Sequence, residues 1–321
     1  MVESIPVRIP ATVPSTFVIA TSAPPAEPVA TAERHLHPLL APPLRAAARE
    51  LLSGPLIHAA VCPARVSPWN AALTGAARVP VLGDRLRAAT HHVVLTAHTS
   101  PSSHPERAQA VRAIARALAF ATAGVVHDGH TAGLIGPAAR GDVEPATFRL
   151  ADDWLSMAVA SGLEVTTRGL ARFGLPELSI AAVPSDRLLT AVSLLRGTAV
   201  HLLAGHWAWL AAGGGRSRLI AARRRVSAAD LYQYWGRTGL EAWRAVQDGT
   251  AVVDLRLDAV SGDAGRLRVC PPHGHGPVET AAWLCGPVEE IRAGTCPVSR
   301  SRSGTGDPRS PRGSDSLPAG P

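Results

Sequence analysis

The first half of the chain alternates β-branched runs with amphipathic helical stretches. Residues His92–Ala97 form a β-branched run that predicts a strand. Pro105 then opens a helix at its first position, where a missing N–H does no harm. Apolar residues follow at helical spacing, with arginines off that stripe: Val111, Ile114, Leu118 and Ala121 against Arg107, Arg112 and Arg116. Val125-Val126 begins the next strand, so this segment predicts a right-handed crossover.

The second half has a different rhythm, with short strand segments separated by turn residues. Leu163–Thr167 and Leu178–Val183 are predicted to form one hairpin, and Val252–Leu257 with Arg266–Val269 a second. Ser227-Ala228-Ala229-Asp230 matches a capping box at a helix start. One crossover unit plus antiparallel hairpins predict an α+β (mixed α/β) fold, in which helices pack against a mixed sheet.

The longest uncharged apolar stretch runs from Gly197 to Gly215. It continues a helix that begins after Ser185 and has one wide apolar face, and it contains His201 and His206. We interpret it as protein interior and not as a membrane span. Glu3 and several prolines interrupt the N-terminal apolar run, which argues against a signal peptide. We therefore expect a cytoplasmic protein that does not bind membranes.

Proline, serine and glycine concentrate at the two ends of the chain. Residues 1–33 hold six prolines, and residues 296–321 contain 15 Pro, Ser or Gly among 26. Such segments bury too little apolar surface to offset the entropy of ordering them. We predict that both ends are disordered and that residues 34–295 form a single mixed α/β domain.

The chain contains no lysine, so all 32 of its basic residues are arginines. This excludes a P-loop, a protein kinase and a pyridoxal enzyme in their usual forms, because each needs a lysine. The formal net charge of +7 permits an anionic partner without requiring one. The four cysteines form no CxxC pair, which favours free thiols in a reducing compartment.

Three runs in the chain carry a family resemblance: Ala88–Val94, Gly124–Asp128 and Thr166–Leu178. The most distinctive is Arg-Gly-Leu-Ala-Arg-Phe-Gly-Leu-Pro-Glu-Leu within the third. They resemble a family of uncharacterised hypothetical proteins from high-GC bacteria that has no assigned activity. The resemblance implies one cytoplasmic domain and carries over no catalytic residue.

The strongest catalytic candidate is the run His127-Asp128-Gly129-His130, which follows a predicted strand. A histidine beside an aspartate can act as a general base, and two histidines with an aspartate can bind a metal. The alternative is a polar turn bent at Gly129. His92 and His98 share one face of the neighbouring strand, opposite His91, and complete this candidate set.

A second set consists of Cys270, His273, His275 and Cys285. Zinc uses these ligand types, but the spacing fits no standard finger. Prolines and glycines around the histidines indicate a loop, which either wraps a metal or is simply flexible. We expect no cofactor.

Five arginines lie within ten residues: Arg216, Arg218, Arg223, Arg224 and Arg225. Tryptophans and tyrosines flank them, and such a pattern can follow a phosphate backbone and stack bases. In that case the arginines should face one direction. The simpler alternative, which we expect, is that they point apart into solvent or pair with acids such as Asp230 and Glu241.

The sequence therefore shows no convergent catalytic set and none of the standard hydrolase, zinc-protease or dinucleotide motifs. Our first hypothesis is a non-enzymatic interaction domain that binds another protein or itself. One alternative is an enzyme that uses His127, Asp128 and His130. The other is a weak nucleic-acid binder that uses Arg216–Arg225.

Overall fold

The computed structural model describes residues 3–38, 40–76, 80–135, 143–236, 252–260, 265–273, 276–286 and 288. Within these ranges the helices are α1 (Pro28–Arg34), α2 (Pro42–Ser53), α3 (Asn70–Ala76), α4 (Pro80–Ala88), α5 (Glu106–Ala121), α6 (Leu188–Ala211), α7 (Ala228–Tyr234) and α8 (Pro277–Cys285). The strands are β1 (Ser4–Arg8), β2 (Val13–Thr21), β3 (Ile57–Pro63), β4 (His91–Thr99), β5 (Val125–Asp128), β6 (Leu134–Ile135), β7 (Ser156–Ala160), β8 (Glu164–Arg168), β9 (Glu177–Ile180), β10 (Ser217–Ala221), β11 (Arg223–Ser227), β12 (Val252–Ala259) and β13 (Arg266–Cys270).

The first sheet is antiparallel, with the strand order β3-β4-β2-β5-β6. Strands β4 and β5 run parallel to each other and are joined through α5, which confirms the predicted crossover connection. They are not neighbours, because β2 lies between them and pairs with both. Helix α5 packs on one face of this sheet and α4 on the other. Successive side chains at the C-terminal end of β5 therefore point alternately to the α5 side and to the α4 side of the sheet.

The prediction that residues 1–33 are disordered is wrong. Strand β2 is the central strand of the first sheet, and Phe17 and Ile19 on it are fully buried. Pro14 is tolerated there because β5 pairs with β2 only from Phe17 onward, so the proline has a neighbouring strand on one side alone. Pro28 occupies the first turn of α1. The folded domain thus begins near Ser4, and residues 296–321 lie outside the described residues.

The second sheet has six strands in the order β11-β12-β13-β9-β8-β7. It is antiparallel except for the parallel pair β13–β9. Both predicted hairpins, β8–β9 and β12–β13, are present. A two-stranded sheet of β1 and β10 lies beside it. The mixed pairing and the packed helices confirm the α+β class, and one hydrophobic cluster joins residues of both large sheets.

The predicted apolar helix is α6. The segment Ser185–Ala211 is long and apolar enough to cross a membrane by length and composition, with a mean hydropathy of 1.4. Of the 18-residue apolar window within this segment, 56% is buried inside the protein. The side chain of His206 on this helix is fully buried, and its Nε2 atom lies 3.1 Å from the carbonyl oxygen of Phe173. These contacts agree with a helix of the protein interior.

The loop between β8 and β9 is held by one carboxylate. Glu177 accepts hydrogen bonds from the backbone N–H groups of Gly169 (2.8 Å) and Ala171 (3.1 Å) and from the hydroxyl of Thr167 (2.7 Å). Gly169 has a φ of +125°, and a Cβ there would lie 2.2 Å from a backbone carbonyl oxygen. The loop therefore turns sharply and directs the side chain of Arg172 into the protein interior.

Candidate functional site

Asp128, the last residue of β5, is fixed in a buried ion pair. Its Oδ1 atom accepts a hydrogen bond from Nη2 of Arg172 and another from the backbone N–H of His130 at 2.8 Å. The two side chains of the pair are 1% and 0% exposed. The second bond closes the turn predicted at Gly129. Asp128 therefore fixes the conformation of the turn after β5, and its carboxylate is not accessible to solvent.

The guanidinium of Arg172 lies between two aromatic rings. Its central carbon is 5.2 Å from the ring centre of Phe17 and 4.9 Å from that of Trp154. These distances are in the range of cation–π contacts. The two rings and the carboxylate of Asp128 offset part of the cost of taking this charge out of water, and burial still lowers the pKa of Arg172.

Three histidines lie within electrostatic range of this interior. Burial, followed by the charge of Arg172, lowers the pKa of His104 to about 3 and that of His130 to about 4. Burial, followed by Arg218, lowers the pKa of His206 to about 4. A general base works best with a pKa near the operating pH. These three side chains are neutral at pH 7 and poor proton acceptors.

The structure does not bring the predicted catalytic set together. Pairing of Val18 with His127 and of Phe17 with Asp128 places the two side chains on opposite faces of the first sheet. His92 is buried on the face of His127, and burial lowers the pKa of both histidines. His98 is exposed, six residues and about 20 Å along β4 from His92.

Among the residues that the structure describes, the predicted metal set forms no metal site. The thiol of Cys270 is buried and lies 3.6 Å from a carboxylate oxygen of Asp258, and burial raises its pKa to about 11. Cys285 is exposed at the end of α8, and His275 lies outside the described residues. Within the described ranges, no group of three His, Cys, Asp or Glu side chains could hold a metal ion.

The five clustered arginines do not share one surface. Arg218 is 7% exposed and points inward, with Nη1 3.5 Å from the carbonyl oxygen of Leu202. Arg216 is exposed before β10. Arg225 pairs with Asp254 at 3.0 Å and not with the predicted acid Asp230. Glu241 lies outside the described residues.

Three of these arginines nevertheless converge on one groove, which we call the arginine groove. Its volume is about 400 Å³, and its lining residues are Arg223, Arg224, Arg225, Asp254, Leu255, Pro272 and His273. Strand β11, which supplies the arginines, is the terminal strand of the second sheet. The lining contains three arginines and one aspartate, so it carries a net positive charge.

Sequence reasoning missed the long-range partners of both regions. Arg172 belongs to the distinctive run, but no local pattern shows that it reaches Asp128, 44 residues earlier. His273 appeared as a metal candidate and instead lines the arginine groove. A signal that the sequence does contain is the alternation of side chains along β11, which places Arg223 and Arg225 on one face of the strand and Arg224 on the other.

Comparisons with protein-family models, curated proteins and solved structures give no match to this chain. The resemblance to a family of high-GC bacteria therefore stays a prediction.

Proposed function

We propose that the chain is a non-catalytic binding domain whose arginine groove takes up a phosphate-bearing ligand. The observation that carries this proposal is the convergence of Arg223, Arg224, Arg225 and His273 on a space of about 400 Å³. Small-molecule sites in proteins have volumes of this order. The ligand we favour is a small phosphorylated molecule.

The chemistry of the lining favours phosphate. Arginine presents a planar fork of donors that matches phosphate oxygens, and it stays charged at all physiological pH values. Arg223 and Arg225 are two residues apart on an extended strand, so their Cα atoms are about 7 Å apart on one side of it. Arg224 projects from the opposite side of the strand, toward α6, and also lines the groove. Pro272, which is half-buried, supplies apolar surface for the non-phosphate part of a ligand.

A non-catalytic role is supported by the protonation states of the histidines. Those near Asp128 have pKa values of about 3 to 4, far from that of an efficient base at neutral pH. Asp128 itself is occupied by Arg172.

Titration calorimetry at low salt tests the proposal, with pyrophosphate as the probe. We expect measurable binding that weakens by about tenfold in Arg223→Ser and in Arg225→Ser, because each loses a charge-assisted hydrogen bond. Arg216→Ser is the matched control, since it removes an exposed arginine of the same segment outside the groove. Absence of pyrophosphate binding, or an equal loss in the control, would refute the proposal.

Two further titrations separate the sources of the phosphate. A short oligothymidine that binds much more tightly than pyrophosphate, with a steep salt dependence, would indicate a nucleic-acid ligand. A peptide of glutamates that binds best would indicate an acidic protein segment. Either outcome would replace the small-molecule ligand that we favour.

Self-association is a second candidate function, and a separate observation favours it. Strand β3 is the terminal strand of the first sheet, and Ile57–Pro63 contains no Asp, Glu or Arg. Val61 on this strand is 42% exposed. Terminal strands usually carry charges that prevent pairing with another chain. Two copies of β3 can pair antiparallel about a two-fold axis without placing like charges opposite each other.

Sedimentation equilibrium of the full chain tests this candidate. We expect a dimer that dissociates when Val61→Lys places a charge on the shared edge. The control is Val278→Lys on α8, where the side chain is 78% exposed and lies on a helix. A wild-type chain that stays monomeric at all concentrations would rule out pairing through β3.

A further inference from the structure

A line of polar contacts connects the start of α7 to the arginine groove. It runs from Asp230 on α7 through His201 on α6 to Arg224 on β11. His201 and Asp230 do not line the groove, so their effect on a ligand must pass through Arg224.

The first member, Asp230, is held by the helix cap. Its Oδ2 atom accepts hydrogen bonds from the backbone N–H (2.7 Å) and the hydroxyl (3.0 Å) of Ser227. Its Oδ1 atom faces Nδ1 of His201 at 3.5 Å. Burial opposes ionisation, but hydrogen bonds from His201 and Ser227 outweigh it and lower the pKa of Asp230. The carboxylate is thus ionised and fixed in place.

This carboxylate sets the orientation of the imidazole. A carboxylate only accepts, so His201 donates its Nδ1–H to Asp230 and presents the lone pair of Nε2 on the other side of the ring. Nη1 of Arg224 lies 3.4 Å from Nε2 and donates to it. Nε of Arg224 donates to the carbonyl oxygen of Ala221 at 3.2 Å.

The three groove arginines therefore differ in how they are held. Arg224 is held at two points of its guanidinium by uncharged acceptors, which leave its charge available to a ligand. Arg225 is paired with Asp254, which a phosphate would have to displace. Arg223 is exposed. A donor that is already oriented loses less side-chain entropy when a ligand binds.

We propose that His201, oriented by Asp230, is a positioning residue that presents Arg224 to the phosphate group of the ligand. This inference rests on the proposed function. It makes Arg224 the pre-oriented anchor of the groove, whereas Arg223 and Arg225 add hydrogen bonds from side chains that are not held in place for the ligand.

A double-mutant cycle with pyrophosphate as the probe tests the inference in the full chain. We expect His201→Ala to weaken binding several-fold, and His201→Gln to restore most of it because an amide oxygen can accept from Arg224. In an Arg224→Ala background, His201→Ala should have no further effect. Ser193→Ala on α6 is the control, since it removes a hydroxyl that donates to the carbonyl oxygen of Leu189 and lies outside this line of contacts; it should leave the dissociation constant unchanged.

The outcomes separate this inference from the function on which it rests. A wild-type chain that does not bind pyrophosphate overturns both. Binding that weakens in Arg224→Ala but not in His201→Ala keeps the groove and overturns the positioning role. A loss in His201→Ala that persists in the Arg224→Ala background, or that His201→Gln does not repair, also overturns it.

Discussion

Lowering the pH from about 7.5 to about 5 should destabilise the fold, because two buried histidines and one half-buried histidine resist protonation in the folded state. The pKa values of His104, His130 and His206 in the fold are about 3, 4 and 4, against 6.5 for an ordinary histidine. The unfolded chain therefore binds more protons than the fold below pH 6.5. The stabilisation is complete above that pH and is lost as the pH falls toward 4 and then 3.

The size of the effect follows from these values. At about pH 5 an ordinary histidine is almost fully protonated, whereas one with a pKa near 4 is mostly neutral, and the difference is worth about 2 kcal/mol of unfolding free energy per histidine. Three such groups amount to about 6 kcal/mol, comparable with the whole stability of many domains. Burial raises the pKa of Glu177, which acts in the opposite direction and reduces the total.

Urea unfolding at both pH values measures this change directly. His206→Gln keeps a donor for the carbonyl oxygen of Phe173 and removes one titrating group, so its loss of stability should be about one third smaller. His98→Gln, at an exposed site, should behave like the wild-type chain. A change below about 1 kcal/mol between the two pH values, or an unaltered change in His206→Gln, would refute the assignment of buried neutral histidines.

Three further predictions concern stability. Gly169→Ala should cost more than about 2 kcal/mol in urea unfolding, because the new Cβ meets a carbonyl oxygen at 2.2 Å; Gly162→Ala, at φ +90° with open space around it, should cost clearly less. Asp128→Asn and Arg172→Met should each cost about 3–5 kcal/mol, and the double variant less than their sum, since removal of one partner leaves a buried charge unpaired; equal and additive losses would contradict this. Deletion of residues 1–21 should abolish cooperative thermal unfolding, whereas a fully folded truncated chain would show that β2 is dispensable.

Local periodicity was sufficient to predict much of the fold. Strand β4, helix α5 and strand β5 appear in the sequence as a β-branched run, a 3.6-residue repeat and a second apolar run. Turn residues between the strand segments were sufficient to predict both hairpins. The same method failed for β2, because an average over 33 residues hid the strand Val13–Thr21 among the prolines. It also placed Arg112 on a polar face, although this side chain is buried against Glu144 at 3.0 Å.

The sites were harder to predict, because their residues meet only through tertiary structure. The order of strands in the second sheet brings β11 beside β12 and places the loop after β13 near it, which no local pattern encodes. The pairing of Asp128 with Arg172 joins the two halves of the chain. His127 and Asp128 are adjacent in the sequence, and the predicted catalytic set used both. Alternation along β5 places their side chains on opposite faces of the sheet.

The central position of β2 has a consequence for biosynthesis. The ribosome makes β2 before the other strands of the first sheet, yet Phe17 pairs with Leu95 and with Asp128. The first sheet therefore cannot form completely until the ribosome has also made β5, which ends at Asp128. Until then β2 lacks at least one of its two neighbouring strands, and an apolar strand with an unpaired edge is prone to aggregation and to capture by chaperones. Slow translation before residue 128 should prolong that interval.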